Sequence, residues 1–301
     1  MPALHLPEPD RAGFVDLNRT RLRVWEWGDP ADPTIICLHG AYDHGRMWDE
    51  FAPRLAALAP GHRVVAPDLR GHGDSGRLPH GHAWAMTALD IGVLARQMAP
   101  VGVVGHSFGA GLAGYVAGVW PEYVRWVVNL DGLGPPGPDE DATFDLAQAA
   151  ADSLSWAERT LLEPPRVYAT TEEMVERRAR TNVRLPRPWV EHLVHHGSTA
   201  AEGGFVWKAD AAFRTGLPGE FDVSYLEAEL ALTTCPMLVL TGSEPDTWSD
   251  HSPEEVAKRL AAYPNPHHEV IEGAGHYVHI EQPHAVLDAI GRFLAAIGGE
   301  R

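Results

Sequence analysis

The stretch that most restricts the fold of this chain is Gly105-His106-Ser107-Phe108-Gly109, directly after the apolar run Val101-Gly102-Val103-Val104. A short β-branched run that ends in Gly-x-Ser-x-Gly and enters small residues predicts a strand, a sharp turn and a helix. Such a turn holds its serine in a strained conformation, hydroxyl outward, at the carboxyl end of the strand. Gly105 and Gly109 flank it because side chains there would collide across the bend. Gly111, Ala113 and Gly114 then let the helix lie close against a sheet.

The rest of the chain has the matching rhythm. Arg21 to Trp27 alternates in strand fashion, Thr34 to Leu38 and Arg63 to Ala66 read as buried strands, and Trp126 to Leu130 follows. Phe51 to Leu58 and Ala88 to Met98 have helical spacing between them. Alternating strands and helices predict an α/β fold with a mostly parallel central sheet flanked by helices. The pattern breaks at Gly132-Leu133-Gly134-Pro135-Pro136-Gly137-Pro138, a turn-rich exit. From about Asp139 to about Ala231 the periodicity is mainly helical with almost no strand signal, clearest over Ala142 to Leu162 and Glu172 to Arg180. Strands return at Met237 to Leu240 and His268 to Ile271, before a final helix over His284 to Ala296. The expected organisation is a core domain of residues 1–133 and 232–301 with an inserted helical cap, or lid, of residues 134–231. A length of 301 residues suits one such domain with an insertion. Phe144, Trp156 and Trp189 are candidates for an apolar wall at the substrate entrance, or for rings that hold the cap's own helices together.

A serine hydroxyl is a weak nucleophile at neutral pH and needs a base within hydrogen-bond reach. His276, in Glu272-Gly273-Ala274-Gly275-His276-Tyr277, follows the last predicted strand and lies on a loop at the same sheet edge. A histidine in that role needs an acid that fixes its tautomer. Asp246, after the strand Met237 to Leu240, is the first choice; Asp131, ending Val127-Val128-Asn129-Leu130-Asp131, and Glu244 are its rivals. The order serine, acid, histidine fits either aspartate. An oxyanion needs two preorganised backbone donors. The N–H of Phe108 is one, and the loop His39-Gly40-Ala41 offers the other at Ala41, with Gly40 permitting close approach.

Charge and composition exclude other classes. Asp+Glu number 41 against 24 Lys+Arg, a formal charge of -17, which argues against nucleic acid or an anionic membrane as partner. No apolar run approaches spanning length and no secretory signal is visible, so a soluble cytoplasmic protein is expected. Cys37 and Cys235 read as small buried residues rather than a disulfide. His192, His195 and His196 have the i, i+3, i+4 spacing of a metal seat, yet no Glu stands in a His-Glu-x-x-His arrangement and the cap offers no obvious further ligand, so a solvated cluster is the better reading. His72 and His80-Gly81-His82 read as turn residues. The glycines around Ser107 lack the Lys-Ser/Thr of a phosphate-binding loop. No cofactor or metal is expected, the partner is a small-molecule substrate, and nothing indicates an oligomeric state.

With Leu38-His39-Gly40, Pro67-Asp68-Leu69-Arg70-Gly71-His72-Gly73-Asp74-Ser75, Gly105-His106-Ser107-Phe108-Gly109 and Gly275-His276 with Glu281-Gln282-Pro283, the chain resembles the α/β-hydrolase fold superfamily. The similarity spans nearly everything outside the helical block, which matches at Gly203-Gly204-Phe205-Val206-Trp207-Lys208. The resemblance implies a serine hydrolase that cleaves a carboxylic ester, or a related thioester or lactone, of a small apolar substrate through an acyl-enzyme. A C–C bond hydrolase and a non-catalytic ligand-binding member of the same fold are the alternatives. Serine at 107 sets the chain apart from epoxide hydrolases and haloalkane dehalogenases, which place aspartate there. The family's acid commonly follows the loop glycine by three positions, which is Pro245 here, with Asp246 one further.

Overall fold

In the computed structural model, residues 4, 6–17, 19–58, 61–77, 83–134, 146–214 and 223–298 are described. Strands β1 (Arg11–Leu17), β2 (Thr20–Trp27), β3 (Thr34–Leu38), β4 (Arg63–Pro67), β5 (Val101–His106) and β6 (Val124–Leu130) alternate with helices α1 (Phe51–Leu58), α2 (Trp84–Met98) and α3 (Phe108–Val119). After β6 come α4 (Leu146–Leu162), α5 (Thr171–Ala179), α6 (Arg187–Gly197), the strand pair β7 (Ser198–Ala201) and β8 (Gly204–Trp207), and α7 (Val223–Leu230). The chain closes with β9 (Met237–Gly242), α8 (Pro253–Ala262), β10 (Pro266–Ile271), the short α9 (Val278–Glu281) and α10 (Pro283–Gly298).

One eight-stranded sheet runs in the order β1-β2-β4-β3-β5-β6-β9-β10. Only its β1·β2 and β2·β4 pairs are antiparallel; the other pairs are parallel, as the alternation predicts. The inner strands are apolar on both faces because helices cover both. Along β3, Ile35 and Cys37 enter one core layer and Ile36 and Leu38 the other. Phe51 and Leu55 of α1 and Val286 and Ile290 of α10 fill the first layer. Ile91 and Leu94 of α2 and Leu112 and Val116 of α3 fill the second. Residues Met174, Trp189, Val190 and Leu193, from the block after β6, are continuous with the first layer.

Two elements differ from the sequence expectation. Strand β1 buries only Leu17 and lies at the sheet edge, so its place rests on pairing with β2 rather than on a hydrophobic pattern. Within the block expected to be mainly helical with almost no strand signal, β7 and β8 form a hairpin. Gly203 (φ +83) and Gly204 (φ +152) make the reversal, which glycine adopts without steric cost. A Cβ on Gly204 would stand 2.0 Å from the Tyr168 carbonyl oxygen. Tyr168 and Phe205 exchange backbone hydrogen bonds of 2.8 Å across that contact. Phe144, His80 and His82 lie outside the described residues. No helix among the described residues is long and apolar enough to cross a membrane.

Candidate active site

Ser107 sits between β5 and α3 at φ 53, ψ -119, a region that costs a non-glycine residue about 1–3 kcal/mol. Its surroundings hold it there. The Ser107 N–H donates to Leu130 O at 3.0 Å, and its carbonyl accepts from Ala110 N at 2.9 Å. A Cβ on Gly109 would stand 2.4 Å from Leu38 O, and one on Gly105 would meet Gly109 O at 2.3 Å. Both glycines are therefore required for α3 to start directly above the ends of β3 and β5. Gly132 has the same function from the other side, since a Cβ there would lie 2.7 Å from Ser107 O. The positive end of α3 thus opens at Phe108, beside the serine.

His276 lies on the loop after β10, buried with 4% of its surface exposed. Its Nδ1 donates to Asp131 Oδ2 at 2.7 Å. An ionised carboxylate only accepts, so this bond puts the proton of a neutral ring on Nδ1 and leaves Nε2 as the basic nitrogen. Asp131, at the end of β6, is held by the neighbouring strand β9: its N–H donates to Leu240 O at 2.8 Å and its Oδ1 accepts from Gly242 N at 3.4 Å. Its φ of 51 turns it out of β6.

Asp246, the first choice from the sequence, is placed elsewhere. Its Oδ2 accepts the backbone N–H of His276 at 3.4 Å and its Oδ1 that of Trp248 at 3.3 Å. The reason is register. Leu130 of β6 pairs with His106 of β5, so Asp131 emerges beside Ser107. Asp246 stands four residues beyond the end of β9, on a loop that turns under the backbone of the histidine loop. Glu244 instead lies 3.9 Å from Arg184. The histidine loop is further braced by Glu281, which accepts from Gly275 N at 3.1 Å and from Arg184 Nε at 2.8 Å. That gives the Glu281-Gln282-Pro283 segment a structural task.

The loop after β3 is shaped by two histidines whose part was not legible in the sequence. His39 donates from Nδ1 to Gly40 O at 2.8 Å and accepts Leu69 N at Nε2, 2.9 Å. Because the peptide is planar and trans, fixing the Gly40 carbonyl aims the Ala41 N–H the opposite way. His72, expected only to make a turn, accepts Tyr42 N at Nε2 (3.2 Å) and donates from Nδ1 to Arg70 O (3.0 Å). Gly40 is needed because a Cβ there would stand 2.9 Å from His106 Nδ1. His106 in turn donates from Nε2 to His276 O at 2.9 Å. Burial first, then the neighbouring His276 and His279, hold His106 well below the usual imidazole range, so it is neutral. Asp68 anchors the Pro67-to-Ser75 segment by accepting from Gly45 N at 2.6 Å, Asp74 N at 2.8 Å and Trp25 Nε1 at 3.1 Å.

Of the helical-block histidines, His195 is exposed while His192 and His196 are half-buried. The solvated cluster expected from sequence therefore holds for one of the three. Asp49, His192 and His196 bring ligand atoms within 4.8 Å of one another. Asp49, however, accepts Arg46 Nε at 2.8 and 2.7 Å through its two oxygens, and His192 Nε2 donates to Arg46 O at 3.0 Å. Those bonds make Asp49 and His192 part of the seam between α6 and residues 44–49, where the His196 ring stands edge-on to His44 with centroids 6.2 Å apart. Trp189 is buried in that seam, edge-on to His192 at 5.4 Å, and Trp156 donates from Nε1 to Ala211 O at 3.4 Å.

Residues 35–289 match the model of a family described as "Alpha/beta hydrolase family". The chain is 28% identical over 291 residues to a serine hydrolase-like protein of Danio rerio, covering 91% of this chain and 85% of that one. It is also 28% identical to Epoxide hydrolase A of Mycobacterium tuberculosis, over 94% of this chain and 97% of the relative. Among solved structures, the thioesterase domain from the curacin biosynthetic pathway superposes with a TM-score of 0.77 at 24% identity, covering 93% of this chain and 98% of that one.

Proposed function

This chain belongs to the alpha/beta hydrolase family, and on that premise we propose that it is a serine hydrolase of carboxylic esters, or of related thioesters or lactones, with small apolar substrates. Ser107 is the nucleophile, His276 the base and Asp131 the acid. The observation that carries this reading is the 2.7 Å bond from His276 Nδ1 to Asp131, next to a serine held at positive φ above a helix N-terminus. Similarity to a serine hydrolase-like protein supports it, as does serine rather than aspartate at position 107.

The chemistry follows from the roles. His276 Nε2 takes the proton of Ser107 Oγ as the oxygen adds to the carbonyl carbon. The resulting oxyanion is met by the N–H groups of Phe108 and Ala41. Collapse expels the alcohol, which leaves with the proton from His276, and an acyl-serine remains. Water then repeats the sequence and releases the acid. Of residues 134–231, the described stretches 146–214 and 223–231 are the cap over this site.

A panel of p-nitrophenyl esters of increasing chain length tests the reading, together with a fluorophosphonate probe. Turnover and labelling by the wild type, both lost in Ser107→Ala, are the expected result. A wild type that turns over no ester and takes no label would leave a non-catalytic ligand-binding protein on this fold.

A further inference from the structure

Asp43 stands two residues after Ala41, is 1% exposed, and is gripped from two directions. The Arg178 guanidinium, at the end of α5, pairs with its Oδ1, and Tyr277 OH donates to its Oδ2 at 3.3 Å. Arg178 Nη1 also donates to Tyr42 O at 3.5 Å. Asn182, just beyond α5, donates to Tyr277 OH at 3.3 Å. Tyr277 itself follows His276 in sequence, and its ring lies against His106 with centroids 4.8 Å apart. One buried carboxylate thus joins three parts: the loop that offers Ala41 N–H, the loop that carries His276, and a helix of the block between β6 and β9.

The energetics of this junction are asymmetric. Burial pushes the Asp43 carboxyl upward, and the charge and hydrogen bonds of Arg178, with the Tyr277 hydroxyl, oppose the rise. Removing one partner of such a pair leaves a buried charge without compensation, which costs far more than the intact pair contributes. The loop cannot relieve that cost by a small shift. Asp43 N–H closes its turn on Gly40 O at 3.2 Å, Tyr42 is held at φ 61, and a Cβ on Gly40 would stand 3.2 Å from Asp43 Oδ2. Losing Arg178 therefore reshapes the turn that aims the Ala41 N–H.

We propose that Arg178 is a positioning residue: borne by the cap, it holds the Gly40–Asp43 turn in the shape that presents the Ala41 N–H to the oxyanion, so the acyl-transfer site is complete only with the cap docked. The proposal rests on the ester-hydrolase reading above. It also separates Arg178 from Arg184, whose bonds to Glu281 and Gly273 O brace the histidine loop alone.

The test compares Arg178→Gln and Asp43→Asn with the wild type on a p-nitrophenyl ester and on a trifluoromethyl ketone, which forms a tetrahedral oxyanion on the serine. Wild-type turnover is measured first, and its absence would defeat the ester-hydrolase reading rather than this one. With turnover present, each variant is expected to lose about 10- to 100-fold in kcat and to weaken the ketone by the same factor, with KM within about 3-fold, the pattern of a lost transition-state interaction. A residue that only props up the cap would lower the melting temperature and leave kcat and the ketone constant unchanged. That result in Arg178→Gln overturns the proposal. Should Arg178→Gln not fold, Asp43→Asn, nearly unchanged in shape, decides by the same two constants.

Discussion

His276 Nδ1 and Asp131 Oδ2 are 2.7 Å apart, each side chain 6% exposed, while Asp246 meets the same histidine only at its backbone N–H, 3.4 Å away. The two aspartates therefore do different work on one residue. Asp131 orients the ring; Asp246 supports the loop beneath it.

Asp131→Asn should accordingly lower kcat by about 10³- to 10⁴-fold, because an amide at that position favours the wrong imidazole tautomer. Asp246→Asn, which forfeits one long hydrogen bond, should stay within about 10-fold of the wild type. The pair is assayed at saturating p-nitrophenyl ester with folding checked by circular dichroism. Collapse in Asp246→Asn alone would return the acid role to that residue.

Gly109→Ala probes the turn. Its Cβ would enter to 2.4 Å of Leu38 O and 2.6 Å of His39 O, both backbone atoms that cannot step aside. Overpacking of this kind costs about 1–3 kcal/mol, and the displaced helix start should take Phe108 N–H away from the oxyanion. Urea unfolding and ester turnover should both fall. Gly111→Ala is the control, since the nearest atom there is the Trp84 ring at 3.6 Å.

Acid sensitivity follows from buried imidazoles. His279, wedged between Trp48 at 4.6 Å and His106 at 4.9 Å, is held down to about 3 by burial and then by His276, against an ordinary value of 6.5. In the fold it stays neutral across that window while the unfolded chain takes up a proton. Its contribution to stability is thus full above pH 6.5 and is lost as pH falls from there toward 3, by up to about 1.4 kcal/mol per pH unit. His279→Phe should show a shallower decline than the wild type between those limits in chemical unfolding. Equal slopes would remove His279 from the account.

What could be read in the sequence was what is decided locally. The turn at Ser107 is announced by Gly105 and Gly109, and the loop of His276 by Gly273 and Gly275, all within a few residues of the groups they serve. That Asp131 and not Asp246 meets the His276 ring follows from the register of Leu130 against His106, a contact across strands that no local pattern carries. The positive φ of Asp131 left no mark either, because aspartate reaches that region far less often than glycine. Arg178 and Asp43 meet across 135 positions, and each in isolation reads as a surface charge. The hairpin Ser198–Ala201 to Gly204–Trp207 was hidden because Ser-Thr-Ala-Ala lacks alternation, although Gly203-Gly204 marked its turn.

Every role assigned above depends on Ser107 becoming acylated. Rapid mixing of the enzyme with an excess of p-nitrophenyl ester, followed by acid quench and mass spectrometry of the digested chain, measures it directly. The expected result is a burst of p-nitrophenol approaching one equivalent per chain and an acyl group on the peptide that contains Ser107, both absent in Ser107→Ala. An acyl group on another residue, or steady ester turnover in Ser107→Ala, would contradict it.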